Sequence, residues 1–167
     1  MIVVSDTSPL NYLVMVACGD ILPALFDEVH CPPEVIAELR HSATPPVVRQ
    51  WADAPPAWLR ITRACVQPRT MGKFGPGELH AIAVAKELAA GRVLIDERDG
   101  TQFARQQGLI VIGTLAVLEQ AASVNLVHLP TVLGELTRTT FRVPAALIRD
   151  ALARDAARRG SQGDVTS

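Results

Sequence analysis

The sequence predicts an α/β protein in which helices flank a mostly parallel central sheet. Three short apolar runs, at 2–4, 93–95 and 109–112, have the length and the β-branched content of buried strands. Each run is followed by a segment with the periodicity of a helix. Strands that alternate with helices in this way are typical of a parallel sheet, because parallel neighbours need long crossover connections.

The first strand ends at Asp6, where the capping residues Thr7 and Ser8 precede a proline that suits the first turn of a helix. This arrangement predicts a helix over 9–17. Aspartate, proline or threonine opens each of the next three segments, which are predicted as helices over 20–26, 33–40 and 44–54. Weaker patterns predict short strands at 29–31 and 59–62.

The second half of the chain repeats this design. Gly75-Pro76-Gly77 marks a turn, and a strong helix is predicted from Glu78 to Ala90. The next apolar run is followed by Asp96, just as the first apolar run leads to Asp6. The remaining helices are predicted over 100–107, 114–122, 131–138 and 144–159.

Composition limits the classes of protein that fit. A length of 167 residues suits one domain, and 49% hydrophobic content argues against disorder. The net charge is −1, so any basic surface must be local. Cys18, Cys31 and Cys65 form neither a disulfide framework nor a zinc pattern. With no span-length apolar run and no basic signal-peptide start, we expect a cytoplasmic protein.

Several carboxylates are candidates for one site. Asp6 and Asp96 end two strands of the predicted sheet, and the carboxyl ends of parallel strands share one edge. Glu38 lies near the edge of a helical apolar stripe, and Glu78 shares a face with small apolar residues. Asp99 is a candidate fifth member. Taken singly, the aspartates could be helix caps and Glu38 a solvated residue.

Such a cluster requires a cation. Two carboxylates about 4 Å apart repel by roughly 4 kcal/mol at an effective dielectric constant near 20. Sites built only from oxygen ligands select Mg²⁺ or Mn²⁺ rather than zinc. The chemistry that suits this kind of site is phosphodiester hydrolysis.

The ordered set of motifs resembles the PIN-domain ribonucleases, and within them the VapC-like toxins whose first strand ends in D-T-S-P-L. The resemblance covers residues 1–142. Its pieces are Asp6-Thr7-Ser8-Pro9-Leu10, Pro32 through Val35 to Glu38-Leu39, Gly77-Glu78 with Ala81-Ile82-Ala83, Leu94-Ile95-Asp96-Glu97, and Gly108-Leu109-Ile110-Val111-Ile112-Gly113-Thr114.

The resemblance implies a three-layer PIN fold, RNA cleavage that depends on Mg²⁺ or Mn²⁺, a cognate antitoxin and a homodimer. By position it makes Asp6, Glu38, Glu78 and Asp96 the catalytic metal ligands, with Ser8 as a polar helper. The sequence departs from the family pattern at Thr101, where relatives often carry a basic residue, and at Ile95, where many carry Ser or Thr. Residues 1–142 would form the nuclease domain, 143–159 a helix packed on it, and 160–167 a disordered tail.

A local basic patch is predicted to hold RNA beside the acids. The candidate residues are Arg63, Arg69, Lys73 and Arg98, although ordinary solvated charges would look the same in sequence. Candidate dimer contacts are the apolar residues Leu13, Val14, Leu22 and Leu25, for which a core role is the alternative.

Two other functions compete with the nuclease. A PIN fold can bind RNA or a protein without cutting. A receiver-like regulatory domain would carry Asp6 as its phosphorylated residue, but the lysine expected after a later strand is missing.

Overall fold

The computed structural model describes residues 1–69 and 71–163. Five parallel strands form one sheet in the order β3-β2-β1-β4-β5. Their bounds are β1 Ile2–Ser5, β2 Glu28–Cys31, β3 Leu59–Ile61, β4 Arg92–Leu94 and β5 Val111–Ile112. The predicted α/β class with a parallel sheet is therefore confirmed.

Helices connect the strands as the crossovers of a parallel sheet require. Their bounds are α1 Thr7–Met15, α2 Ile21–Leu25, α3 Pro33–Leu39, α4 Pro46–Asp53, α5 Pro76–Glu87, α6 Arg98–Gln106, α7 Thr114–Ser123, α8 Leu129–Leu136 and α9 Ala145–Gly163. None of the helices in the described part of the chain is long and apolar enough to span a membrane.

The central strand β1 decides where a site can form. Val3 and Val4 are fully buried, and β1 pairs with β2 on one side and β4 on the other. From β1 the chain adds β2 and β3 on one side of the sheet and then β4 and β5 on the other side. The direction in which strands are added therefore reverses beside β1. Open α/β sheets bind ligands at such a switch, outside the carboxyl ends of the strands.

The chain divides into two compact units, Met1–Thr114 and the segment from Leu115 onward. The first unit contains the whole sheet and α1 to α6. In the second unit, Asp155 is buried and its Oδ2 lies 2.7 Å from Arg159. Helix α9 runs to Gly163, beyond its predicted end at Arg159, and residues 164–167 of the predicted tail lie outside the described residues.

The structure decides one alternative that the sequence left open and contradicts one expectation about exposure. Leu13 and Leu22 are fully buried and Val14 is 8% exposed, so these candidate dimer contacts belong to the core of the monomer. The run at 109–112 was expected to be a buried strand, but β5 is an edge strand and Ile110 is 57% exposed. Apolar content alone does not separate an edge strand from a central one.

Candidate active site

A cavity of about 480 Å³ lies at the carboxyl end of the sheet, in the first unit. The β1–α1 junction, α3, the loop before α5, α5 and the start of α6 all contribute to it. The lining residues are Asp6, Thr7, Ser8, Glu38, Lys73, Gly75, Glu78, Glu97, Arg98, Asp99 and Gly100. We call this the acid cavity, because carboxylates dominate its polar groups.

Asp6 occupies the N-cap position of α1, but its side chain makes no capping hydrogen bond. Its backbone N–H donates to Leu94 O at 3.0 Å, which continues the pairing of β1 with β4. Burial raises the pKa of the Asp6 carboxyl to about 7, and the carboxylates of Glu78 and Glu38 add to this, while the Thr7 backbone N–H opposes it. Because its side chain makes no capping hydrogen bond, Asp6 does not have the helix-capping role that was the alternative in the sequence.

Glu38 is held by two neighbouring segments. Its Oε1 accepts a hydrogen bond from the Gly77 backbone N–H at 2.8 Å, in the first turn of α5, and its Oε2 accepts one from the Thr7 hydroxyl. A Cβ atom at position 77 would lie 2.7 Å from Glu38 Oε2. The glycine therefore allows the carboxylate to reach the N-terminus of α5, where the helix dipole favours a negative charge.

Glu78 is the most poorly compensated acid of the cavity. It is 8% exposed, and its Oε1 is buried without a hydrogen-bond partner. Burial raises the pKa of the Glu78 carboxyl to about 7, and the carboxylates of Glu97, Asp99 and Glu38 add to the effect. A buried oxygen without a donor is costly unless a proton or a cation meets it.

Asp96 differs from the other three predicted ligands because it does not line the acid cavity. Its Oδ1 and Oδ2 accept hydrogen bonds from the backbone N–H and the hydroxyl of Thr114, both at 2.7 Å. It lines a neighbouring cavity together with Arg98 and Thr101. Burial raises the pKa of Asp96, while both Thr114 hydrogen bonds oppose the shift. Its charge still lies close enough to raise the pKa of Asp6.

The donor set fits a hard divalent cation. Asp6, Glu38 and Glu78 bring carboxylate oxygens from three elements to one cavity, and Glu78 Oε1 has no partner. Within residues 1–69 and 71–163, however, no three His, Cys, Asp or Glu side chains already form a group that could hold a metal ion. Binding an ion would therefore require these side chains to move closer together.

A family model described as a PIN domain matches residues 2–156. The chain belongs to the PIN-domain family. PIN domains are generally nucleases and typically use divalent metals, so the family indicates a nuclease-type module. Comparisons with curated proteins and with solved structures gave no match.

This PIN domain brings most of the predicted site residues together. The acid cavity contains Asp6, Ser8, Glu38, Glu78 and Asp99, while Asp96 lines the neighbouring cavity. Sequence reasoning missed Glu97, Thr7 and Gly100. Glu97 directly follows Asp96, and that adjacency was the signal that could have found it, whereas the contacts of Thr7 and Gly100 become visible only in the folded chain.

The four basic residues predicted to bind RNA lie in three different places in the structure. Lys73 and Arg98 line the acid cavity, and Lys73 Nζ lies 3.8 Å from Asp99 Oδ2. Arg69 lines a different, apolar cavity. Arg63 is exposed and lines neither of these two cavities, so its role in RNA binding stays a prediction.

Proposed function

We propose that this PIN domain is a metal-dependent endoribonuclease that hydrolyses RNA phosphodiester bonds with Mg²⁺ or Mn²⁺. The observation that carries the proposal is the unpaired, buried Glu78 Oε1 in a cavity that Asp6 and Glu38 share. Burial and the neighbouring carboxylates raise the pKa values of Asp6 and Glu78 to about 7, which supports the proposal because a bound cation would favour the ionised form of both acids.

In this proposal Asp6, Glu38 and Glu78 hold the ion, and Asp96 joins them once its side chain moves toward the acid cavity. Asp99, which lines the acid cavity, is a fifth candidate ligand. Held by these carboxylates, Mg²⁺ or Mn²⁺ would supply Lewis-acid chemistry, activating water and neutralising charge on the phosphate. Thr7 and Gly77 orient Glu38 by hydrogen bonds, and Thr114 orients Asp96 in the same way. Such orienting partners commonly change metal affinity or activity by about ten-fold to a hundred-fold.

The remaining polar groups would place the RNA backbone. Lys73 and Arg98 carry positive charge at the wall of the acid cavity, where the carboxylates otherwise repel phosphate. The Ser8 hydroxyl lies in the same wall and can donate to a phosphate oxygen. We expect these groups to orient a single strand across the cavity.

Cleavage of a single-stranded RNA by the purified protein tests the proposal. We expect activity with Mg²⁺ or Mn²⁺, none after chelation by EDTA, and none in Asp6→Asn. Asp150→Asn is the matched control, because Asp150 is an exposed aspartate of α9 and should leave activity unchanged. If Asp6→Asn cuts RNA as fast as the parent, the site is wrongly assigned.

The biological setting proposed here is that of a cytoplasmic toxin paired with an antitoxin, and a homodimer, as the VapC-like resemblance implies. Expression of the parent should arrest growth, while Asp6→Asn should not. Co-expression of a small protein encoded beside this gene should restore growth. Light scattering that shows a monomer at micromolar concentration would remove the dimer from the proposal.

The second candidate is a PIN-fold module that binds RNA or protein without cutting. The hydrogen bonds that Thr114 donates to both oxygens of Asp96 favour this candidate, because they already stabilise the charge of one proposed metal ligand without an ion. In that case the parent would leave RNA intact under every metal condition, whether its ligand is RNA or a protein.

A further inference from the structure

An apolar cavity of about 180 Å³ lies in the first unit, between α5, α6 and the loop before α5. Leu79, Ile82 and Ala83 of α5, Met71 of the loop and Phe103 of α6 provide its apolar walls. Leu79 and Ile82 are buried, whereas Met71 is 38% exposed. The cavity therefore has a packed floor and opens to solvent beside the loop.

Pro68, two cations and an amide complete the lining of the apolar cavity. Arg69, Lys86 and Gln107 are all exposed, and Lys86 Nζ donates to Gln107 Oε1 at 2.8 Å. Among the described residues that line this cavity there is no carboxylate, in contrast to the acid cavity. The charge and the walls together suit an occupant that combines an apolar body with negative groups.

The two cavities share their supporting elements. On α5, Glu78 lines the acid cavity and the next residue, Leu79, lines the apolar one. Phe74 directly follows Lys73, which lines the acid cavity, and stacks on Phe103 with ring centroids 5.1 Å apart and planes 28° apart. Neighbouring residues of the same elements therefore line both cavities, which is the arrangement expected if one strand occupied both.

We infer that the apolar cavity binds a base of the RNA strand whose phosphodiester lies in the acid cavity. This inference rests on the proposed function. The base packs against Phe103 and the aliphatic walls, its polar edge meets Gln107, and the adjoining phosphates meet Arg69 and Lys86. Single-stranded RNA is commonly recognised through unstacked bases that pack on aromatic side chains.

A peptide occupant fits these walls less well than a base. Backbone N–H and C=O groups that enter an apolar cavity need hydrogen-bond partners, and Leu79, Ile82 and Phe103 offer none from their side chains. A base needs such partners only along its edge, and Gln107 supplies both a donor and an acceptor there. Displacement of Gln107 from Lys86 would free the acceptor.

The test compares two oligoribonucleotides of equal length and charge in the cleavage-dead Asp6→Asn protein. One is oligouridylate, and the other has the same ribose-phosphate backbone without bases. Fluorescence anisotropy should show tighter binding of oligouridylate by about five-fold or more, since one base–aromatic contact contributes this much. Ala83→Leu on the same background should remove the preference and leave the affinity for the abasic strand unchanged.

Matched variants separate filling of the cavity from general damage. Ala54→Leu makes the same change at an exposed position that does not line either cavity, so the base preference should persist. If Ala83→Leu fails to fold, Ala83→Met fills the cavity with an unbranched, more adaptable side chain and should remove the base preference in its place. Thermal unfolding of each variant shows which proteins are folded.

A second arm tests the cationic rim. Lys86→Gln should weaken binding of both strands by the same factor, because it removes a phosphate contact rather than a base contact. The slope of log affinity against log salt should become shallower by about 0.7. An unchanged slope would mean that Lys86 does not contact phosphate and would overturn this part of the inference.

The outcomes distinguish this inference from the proposed nuclease. Equal affinity for both strands, or a preference that Ala83→Leu leaves intact, would overturn the base site even if RNA cleavage depends on Asp6. Equal affinity would then favour a protein segment as the occupant. A base preference that Ala83→Leu removes, in a protein whose parent never cuts RNA, would support the base site and reject the nuclease.

Discussion

Gly100 lies directly against the carboxylate of Glu78, and a Cβ atom at position 100 would overlap Glu78 Oε1 and Cδ. Gly100 is in the first turn of α6 and Glu78 in the first turn of α5. Gly77 has the same relationship to Glu38. Because glycine has no side chain, Gly100 and Gly77 leave room for the carboxylates of Glu78 and Glu38, respectively.

Gly100→Ala should reduce RNA cleavage by about ten-fold to a hundred-fold, the range found when a group that orients a metal ligand is lost. The new methyl group must push the end of the Glu78 side chain away from its present position. Because that end is flexible, the protein should still fold. The measurement is the initial rate of cleavage with Mn²⁺, together with the midpoint of thermal unfolding.

Gly134→Ala is the matched control for that substitution. Gly134 lies within α8, and a Cβ atom there would have open space. Replacement of a helical glycine by alanine should stabilise the protein by about 0.5–1 kcal/mol and leave cleavage unchanged. Equal activities of the two variants would show that the position of Glu78 does not matter for catalysis.

Asp6→Asn should stabilise the metal-free protein, and the gain should depend on pH. The pKa of Asp6 in the fold is about 7, against an ordinary value of 3.8, so the folded parent binds more protons than the unfolded chain. Stability of the parent therefore falls as pH rises from about 4 to about 7. The variant lacks this loss, which can reach the order of 4 kcal/mol.

Denaturant unfolding with EDTA present measures this effect at pH 5 and pH 8. The difference in unfolding free energy between Asp6→Asn and the parent should be larger at pH 8. Asp150→Asn, at an exposed position, should show a small difference that is similar at both pH values. A constant difference for Asp6→Asn would mean that the Asp6 carboxyl titrates in its ordinary range.

Asp96 requires a variant that keeps its hydrogen bonds. In Asp96→Asn, Oδ1 can still accept from the Thr114 N–H, and the amide can donate to the Thr114 hydroxyl after that hydroxyl rotates. The fold should therefore survive, while cleavage should be lost if Asp96 is a metal ligand. Thr114→Val keeps the shape, removes one hydrogen bond and should reduce cleavage by about ten-fold. Full activity of Asp96→Asn would leave Asp96 with a purely structural role.

The sequence predicted the positions of the acids along the chain better than their orientations. Asp6 directly follows β1, whose first three residues are apolar, and the pattern of strands and helices was enough to place it at the carboxyl edge of a parallel sheet. The orientation of Asp96 depends on Thr114, which is 18 residues away and follows β5. No local pattern encodes that contact, so the sequence could not show that Asp96 faces Thr114 rather than the acid cavity.

The contacts of Glu38 illustrate the same limit. A helical wheel placed Glu38 at the edge of the apolar stripe of α3, which was compatible with solvent or with a site. The partners that decide between these, Thr7 and Gly77, lie 31 and 39 residues away. For a related reason the sequence could not decide whether Leu13 and Leu22 belong to the core or to a dimer contact. Burial depends on which elements pack against a helix, and the sequence of the helix does not show this.

Metal binding should become tighter as pH rises through 7. A cation displaces protons from Asp6 and Glu78, whose pKa values are both about 7. Each carboxyl is mostly protonated at pH 6 and mostly ionised at pH 8, so each should change the affinity for Mn²⁺ by about ten-fold over this range. The rise in the midpoint of thermal unfolding on addition of Mn²⁺ should therefore be larger at pH 8 than at pH 6.

Isothermal titration in two buffers of different ionisation enthalpy measures the protons released by Mn²⁺ directly. We expect release near pH 6 and little at pH 8, where both carboxyls are already ionised. Asp6→Asn should bind Mn²⁺ more weakly and release fewer protons, whereas Asp150→Asn should match the parent. Equal Mn²⁺ affinity at pH 6 and pH 8 would show that the ion does not bind at Asp6 and Glu78, since carboxyls that titrate near 7 must compete with it.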